Sequence, residues 1–216
     1  MPEDRPPGVV RRLVASFGER SRSVAPHAGL PALRGVPRLG AAVTIGVLVY
    51  RGVSSGEIDE PVDRLAERMQ AAVVFVGSAV GAVHAVEPSR QVIVDCTPRT
   101  APPIDVLVVP GGLGWKQVIE DPQISDWLRR VAASARGIMA ISTGSLLLAS
   151  VGRLDGRQAT GHWLATNELA ALGATVMSER TARDDAGRVV TAAGALAAVQ
   201  VVDELADQVS WADWIP

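Results

Sequence analysis

The sequence predicts an α/β fold in which a mostly parallel sheet is covered by helices on both faces, and three observations carry that prediction. The run VTIGVLVY at Val43–Tyr50 holds no charge and is rich in β-branched residues, and Ile104–Val109 closes on the uninterrupted VLVV; both suit strands with no solvent face. Such runs alternate with segments whose apolar residues recur at helical spacing, so strand, loop and helix repeat as βαβ units. A small-residue turn, Ser142-Thr143-Gly144, joins one apolar strand directly to an apolar helix start.

Taken in order, residues 1–40 differ from the rest. Pro2, Pro6, Pro7, Pro26, Pro31 and Pro37 are scattered among seven arginines with little periodicity, which reads as a disordered or loosely attached basic extension. Within it, Val9–Phe17 has the spacing of one short basic amphipathic helix. The domain is expected over 41–216. After the first strand, RGVSSGEIDEPVDRLAERMQ supplies a Gly/Ser loop and then a helix, with Asp59, Glu60 and Asp63 at the helix start, where acidic side chains oppose the helix dipole. Ala72–Val76 is the next strand, and Gly81–Val86 with Gln91–Asp95 form a strand pair around Glu87-Pro88-Ser89. Ile104–Val109 ends in Pro110-Gly111-Gly112. Pro122–Ala135 carries Ile124, Trp127, Leu128 and Val131 at helical spacing, and the strand ending at Ile141 leads into the Ser142 turn. Thr143–Val151 is a helix stopped by Gly152, and Ala159–Leu172 contains HWLATNELAAL, helical with Gly173 as its cap. Short strands at Thr175–Met177 and Arg188–Thr191 precede a last helix, Ala195–Val209.

Composition narrows the class. With 216 residues and 48% hydrophobic content the chain can bury one sizeable core. A formal net charge of −2 and scarce aromatics argue against a nucleic-acid partner or an anionic membrane surface. The one cysteine, Cys96, excludes an intramolecular disulfide and an all-cysteine metal site, and fits a reducing cytoplasm. Lys116 is the one lysine beside many arginines, a bias of GC-rich bacterial genomes. Apolar runs are too short to span a membrane, and the N-terminus lacks the pattern of a secretory signal. His27 and His84 have no carboxylate or cysteine at ligand spacing, so no metal is expected.

The Ser142 turn has two local readings. Ser-Thr-Gly before an apolar run is an ordinary helix N-cap. It is also the outline of a nucleophile elbow, whose apex residue is strained and stands above the sheet with the next N–H groups aimed at a ligand. Glu57, Gly111-Gly112 and Ser142 follow three different strands, and in a parallel sheet all three should meet at one edge.

With these residues assembled, the chain resembles the ThiJ/PfpI family of the class I glutamine amidotransferase-like superfamily over roughly 43–209. The matching pieces, in order, are VLVYRGVSSGEIDEPVDRL, DVLVVPGGLGW, AISTGSLLLASVGRLDG, ATGHWLATNELAALGA and VVTAAG. The His162-Trp163 pair after Gly-Arg-x-Ala-Thr points to the branch of isonitrile hydratases and of the sensor domains of AraC-type regulators. The resemblance implies a flavodoxin-like three-layer sandwich, a homodimer and no cofactor. It also exposes a departure, because family enzymes usually carry cysteine at the elbow, where this chain has Ser142. Cys96, on the strand pair, reads instead as a small buried hydrophobe.

Carried over residue by residue, the resemblance implies Glu57 as the acid beside the nucleophile, Ser142 at the elbow and His162 as a second candidate base. A serine hydroxyl is less acidic than a thiol and needs such a base. Backbone N–H groups of Gly112 and Thr143 would form an oxyanion pair, with Gly111, Gly144 and Trp163 lining the substrate site. Plainer roles stand beside these: a histidine packed on Trp163, and glycines needed only for a tight turn. Two functions follow. One is a hydratase, lyase or hydrolase acting on a small molecule, with Glu57 as general acid/base. The other is a non-catalytic ligand-sensing or regulatory module. The chain ends at Trp214-Ile215-Pro216 without length for the helix-turn-helix units of a complete DNA-binding regulator.

Overall fold

Thr44–Leu48 (β1) and Ala72–Val76 (β2) pair in parallel, with Thr44 opposite Ala72, around the helix Asp59–Met69 (α1). In this helix Val62, Leu65, Ala66 and Met69 lie one turn apart and are all buried, so the amphipathic spacing becomes the packing face. The computed structural model describes residues 32–35, 43–184 and 187–207. The expected basic extension lies outside these residues except at 32–35. There Leu33 bridges to Val92, its N–H donating to Gln91 O and its carbonyl accepting from Ile93 N–H, so this short piece is attached to the domain.

The hairpin Gly81–Ala85 (β3) and Arg90–Val94 (β4) forms its own two-stranded antiparallel sheet. Val106–Val109 (β5) returns to the main sheet beside β1. The helices Trp115–Glu120 (α2) and Pro122–Ser134 (α3) follow. Asp121 caps the second, its carboxylate accepting from Gln123 and Ile124 N–H with Pro122 in the first turn. Gly137–Ile141 (β6) leads into Gly144–Ser150 (α4), which is buried over almost its whole length. Gln158–Ala159 (β7), Thr166–Ala171 (α5), Thr175–Val176 (β8), Thr181–Arg183 (β9), Val189–Ala192 (β10) and Ala195–Asp207 (α6) complete the domain.

The main sheet has the order β2-β1-β5-β6-β10-β9, parallel throughout except for β9, which runs antiparallel to β10. Leaving out the antiparallel edge, this is the flavodoxin-like order, with the chain turning to opposite sides of β1. α1 packs on α6 and α2 packs on α3 and α4, giving helices over both faces. The core lies between the layers, with Ile45, Leu107, Ile138 and Ile141 wholly inaccessible. Across the α1–α6 seam, Arg64 and Arg68 both reach Asp203 at 2.8 Å.

Several expected elements differ. The helix expected in HWLATNELAAL opens as a 3-10 turn at Trp163–Ala165 and is α-helical only over Thr166–Ala171, while Ala159 ahead of it belongs to β7 and Thr160 is held by other elements. Thr160 N–H donates to Thr191 Oγ1 at 2.8 Å, and its carbonyl accepts from Ser145 Oγ at 2.7 Å. The strand at 175–176 pairs with β7 rather than joining the main sheet. α2, β7 and β9 had no expectation, each being too short for a periodicity to emerge. Among the described residues no helix is long and apolar enough to cross a membrane.

Candidate functional site

The chain leaving β1 is stitched between two other loops. Gly52 N–H donates to His84 O at 2.8 Å, Ser55 N–H to Val86 O at 2.8 Å and Ser55 Oγ to Pro88 O at 2.6 Å, all on the hairpin. On its other side Ser54 N–H donates to Gly111 O at 2.8 Å, and Val53 bridges to Gly112. Held from both sides, the segment closes one 3-10 turn, Ser55–Glu57, which turns Glu57 inward until it is 8% exposed.

There the carboxylate meets the turn after β5. Gly111 N–H donates to Glu57 Oε2 at 2.6 Å, and the Ser142 side chain acts on the same carboxyl group. A Cβ on Gly111 would lie 2.7 Å from Thr143 Oγ1, 2.8 Å from Thr143 N and 3.0 Å from Glu57 Oε2, so close approach requires glycine here. Burial pushes the Glu57 carboxyl up to about 7, with a smaller upward push from Glu87. The Gly111 amide and the Ser142 side chain work against that rise.

Ser142 follows β6 with φ of +57°, a left-handed conformation that costs a non-glycine residue energy and that the surrounding turn must impose. It is 5% exposed, and its N–H is anchored on Ala192 O at 2.8 Å. The ordinary N-cap reading does not describe this turn, because the residue preceding the helix is Thr143 and no side chain caps the helix. Gly144 sits so close to Val109 O that no side chain could fit, which lets α4 start against the end of β5.

Glu57, Gly111, Gly112, Ser142 and Thr143 thus converge beyond the carboxyl ends of β1, β5 and β6, where the strand order reverses. The expected oxyanion pair differs in one member. Gly112 N–H donates to Thr143 Oγ1 at 3.0 Å, while that hydroxyl reaches Gly112 O at 3.3 Å. Both glycine amides at this turn are therefore engaged by the protein's own side chains.

His162 is half-buried and stands just beyond Gly161, which runs close past Ser142 O. Its Nδ1 accepts from Leu164 N–H at 3.2 Å, and its ring stacks on Trp163 with centroids 5.8 Å apart. Among the described residues no hydrogen bond joins it to Ser142 or Glu57. Trp163, expected against substrate, is 74% exposed on the outer side of that stack, because the first turn of the 3-10 helix points it outward.

Other candidates settle into structural places. Asp59 pairs with Arg90 and Glu60 with Arg64, so the acidic helix start serves α1. Cys96 is half-buried against the core, and burial raises its thiol, the opposite of a reactive thiolate. Among the described residues no group of three or more His, Cys, Asp or Glu is arranged to hold a metal ion.

Two participants were missed in the sequence. Tyr50, read only as the end of a strand, donates from its hydroxyl to Pro110 O at 3.0 Å. Glu87, read only as a turn residue, acts on Glu57 by charge. Neither carries a local signal, since each matters only once the hairpin and β5 turns are brought beside β1.

Comparisons with known proteins identify the family and the fold. The model of the DJ-1/PfpI family matches residues 43–208. Isonitrile hydratase of Pseudomonas putida is 33% identical over 172 residues, covering 80% of this chain and 74% of that protein. The HTH-type transcriptional regulator CdhR of Pseudomonas aeruginosa is 31% identical over 87 residues, which are 40% of this chain and 26% of the regulator. Among solved structures, a ThiJ/PfpI family protein from Pseudomonas syringae superposes with a TM-score of 0.70 at 25% identity, covering 80% of this chain and 75% of that one. Schizosaccharomyces pombe DJ-1 shares the fold, with a TM-score of 0.65 at 19% identity, over 80% of this chain and 95% of its own.

Proposed function

The chain belongs to the DJ-1/PfpI family, and from that premise we propose that it is an enzyme adding water to a small neutral molecule of the isonitrile type, with Glu57 as general acid/base and Ser142 as nucleophile at the elbow. The observation that carries this reading is the buried Glu57 carboxyl, poised at about 7 between the Gly111 amide and the Ser142 side chain. An acid with that affinity for its proton is present in both forms near neutrality, which is what proton transfer in both directions needs. The similarity to an isonitrile hydratase supports the substrate class.

The chemistry balances with this chain's own groups. Glu57 as the carboxylic acid gives its proton to the terminal carbon of R–N≡C, leaving a nitrilium ion and a carboxylate. Ser142 Oγ adds to that carbon while its proton passes to Glu57, giving an imidate ester. Water then adds to the same carbon, one of its protons passing to the nitrogen; the C–Oγ bond breaks, the other proton returns to Ser142 Oγ, and the formamide R–NH–CHO leaves. Positive rather than negative charge develops in the first step. The engagement of both glycine amides therefore favours hydration over acyl hydrolysis, which needs free donors for an oxyanion. His162 is kept as a residue near the elbow that holds Leu164, not as the base.

The regulator similarity supports a second reading, a sensor module in which the same pocket binds without turnover. The test is formamide production from a panel of isonitriles, α-oxoaldehydes and small amides, beside binding of the same compounds. Turnover of an isonitrile is expected. Binding without turnover across the panel would replace the enzyme reading with the sensor. The proposed assembly is a homodimer, supported by the exposed Trp163 and Leu164.

A further inference from the structure

Tyr50 is the one tyrosine of the chain. Its hydroxyl makes a buried hydrogen bond to Pro110 O at 3.0 Å, and the N–H of the next residue, Gly111, donates to Glu57 Oε2 at 2.6 Å. Pro110 C=O and Gly111 N–H are opposite ends of a single planar peptide unit. One rigid group is thus held by a phenol at its oxygen and by the acid at its nitrogen. Hydrogen bonds arranged in series polarise one another, each strengthening its neighbour by roughly 10–30% in condensed phases. Donation to the carbonyl draws electrons from the amide nitrogen and makes its N–H a better donor.

We infer that Tyr50 is a positioning residue for Glu57, acting through the Pro110–Gly111 peptide that it orients and polarises. This rests on the reading of Glu57 as the acid of the site. Tyr50 is suited to the task because burial first, and the charge of Glu57 second, raise its own ionisation well above the usual phenol range. It therefore stays a proton donor through the whole range in which Glu57 titrates. The other groups acting on Glu57 are the Ser142 side chain and the Glu87 carboxylate at the hairpin turn. A purely packing role would use only the ring, which also walls a cleft of about 460 Å³ with Val86, Leu113 and Val118.

The test is a carbon-13 NMR titration of the Glu57 carboxyl in the full chain, in three forms. These are the native protein, Tyr50→Phe, and the native sequence with its sole tyrosine replaced biosynthetically by 3-fluorotyrosine, a stronger donor. The expected order of Glu57 midpoints is Tyr50→Phe highest, native next and fluorotyrosine lowest, with steps on the order of a few tenths of a pH unit. The Gly111 amide proton should move upfield in Tyr50→Phe and downfield with fluorotyrosine. Coincident or unordered midpoints in folded proteins would overturn the inference, and if Tyr50→Phe does not fold, the fluorotyrosine step decides alone. No substrate is involved, so a protein without turnover that keeps this order loses the proposed activity and retains the Tyr50 role.

Discussion

Ser142 and Glu57 come together at the carboxyl edge of the sheet, the serine side chain acting on the buried carboxyl so as to favour its charged form. They come from different strands, and each is fixed by its own turn: Glu57 by the 3-10 turn after β1, Ser142 by a left-handed φ after β6. The pairing of a strained serine with a buried acid sets the following expectations.

Glu57→Gln keeps the shape and removes the titrating proton, so turnover should fall by about 10² or more. In the native enzyme the protonated acid starts the reaction. Its kcat/KM should therefore decline as pH rises through about 7, and this limb should be absent in Glu57→Gln. A native-like rate in the variant would remove Glu57 from the mechanism.

Ser142→Ala should lose turnover by a similar factor, together with any serine-linked imidate detectable by mass spectrometry after rapid quenching. A loss below about tenfold, the size of one hydrogen bond at roughly 1 kcal/mol, would assign Ser142 to orienting the attacking water.

The same acid makes stability depend on pH. Its folded-state value, about 7, lies above the ordinary 4.5, so the folded state binds the extra proton in that interval. The associated stability is fully present below 4.5 and is lost as pH rises through 7, by about 3 kcal/mol in total. Thermal unfolding should show the native protein losing stability from pH 5 to 8 relative to Glu57→Gln. Parallel curves would contradict a raised Glu57.

Gly111→Ala drives a methyl group against Thr143 and Glu57, displacing the amide that holds the acid. A loss of about 1–3 kcal/mol, in the range of overpacked sites, is expected together with loss of turnover. Calorimetry and the isonitrile assay on one preparation measure both.

Sedimentation at micromolar concentration should show a dimer, and Trp163→Ser should weaken it, given how fully that ring faces solvent. A monomer at all concentrations would refute the proposed assembly. Trp211 and Trp214, at the end of the chain, lie outside the described residues.

By itself the sequence determined the architecture and the address of the site. Uncharged, β-branched runs at β1, β5 and β6 have only one stable place, inside a sheet covered on both faces, and their alternation with amphipathic helices such as α1 sets parallel pairing. Because parallel strands all end on the same side, Glu57, Gly111-Gly112 and Ser142 had to arrive at one edge. The tertiary structure alone decided how those groups use one another. No local pattern says that Thr143 occupies the Gly112 amide, that Trp163 is left facing solvent, or that Thr160 is bonded to both Ser145 and Thr191. Nor does spacing reveal that Tyr50 reaches Pro110 or that burial leaves Glu57 poised near neutrality. These depend on hydrogen bonds and desolvation between groups far apart in the chain, and such energies exist only after the sheet has brought the loops together.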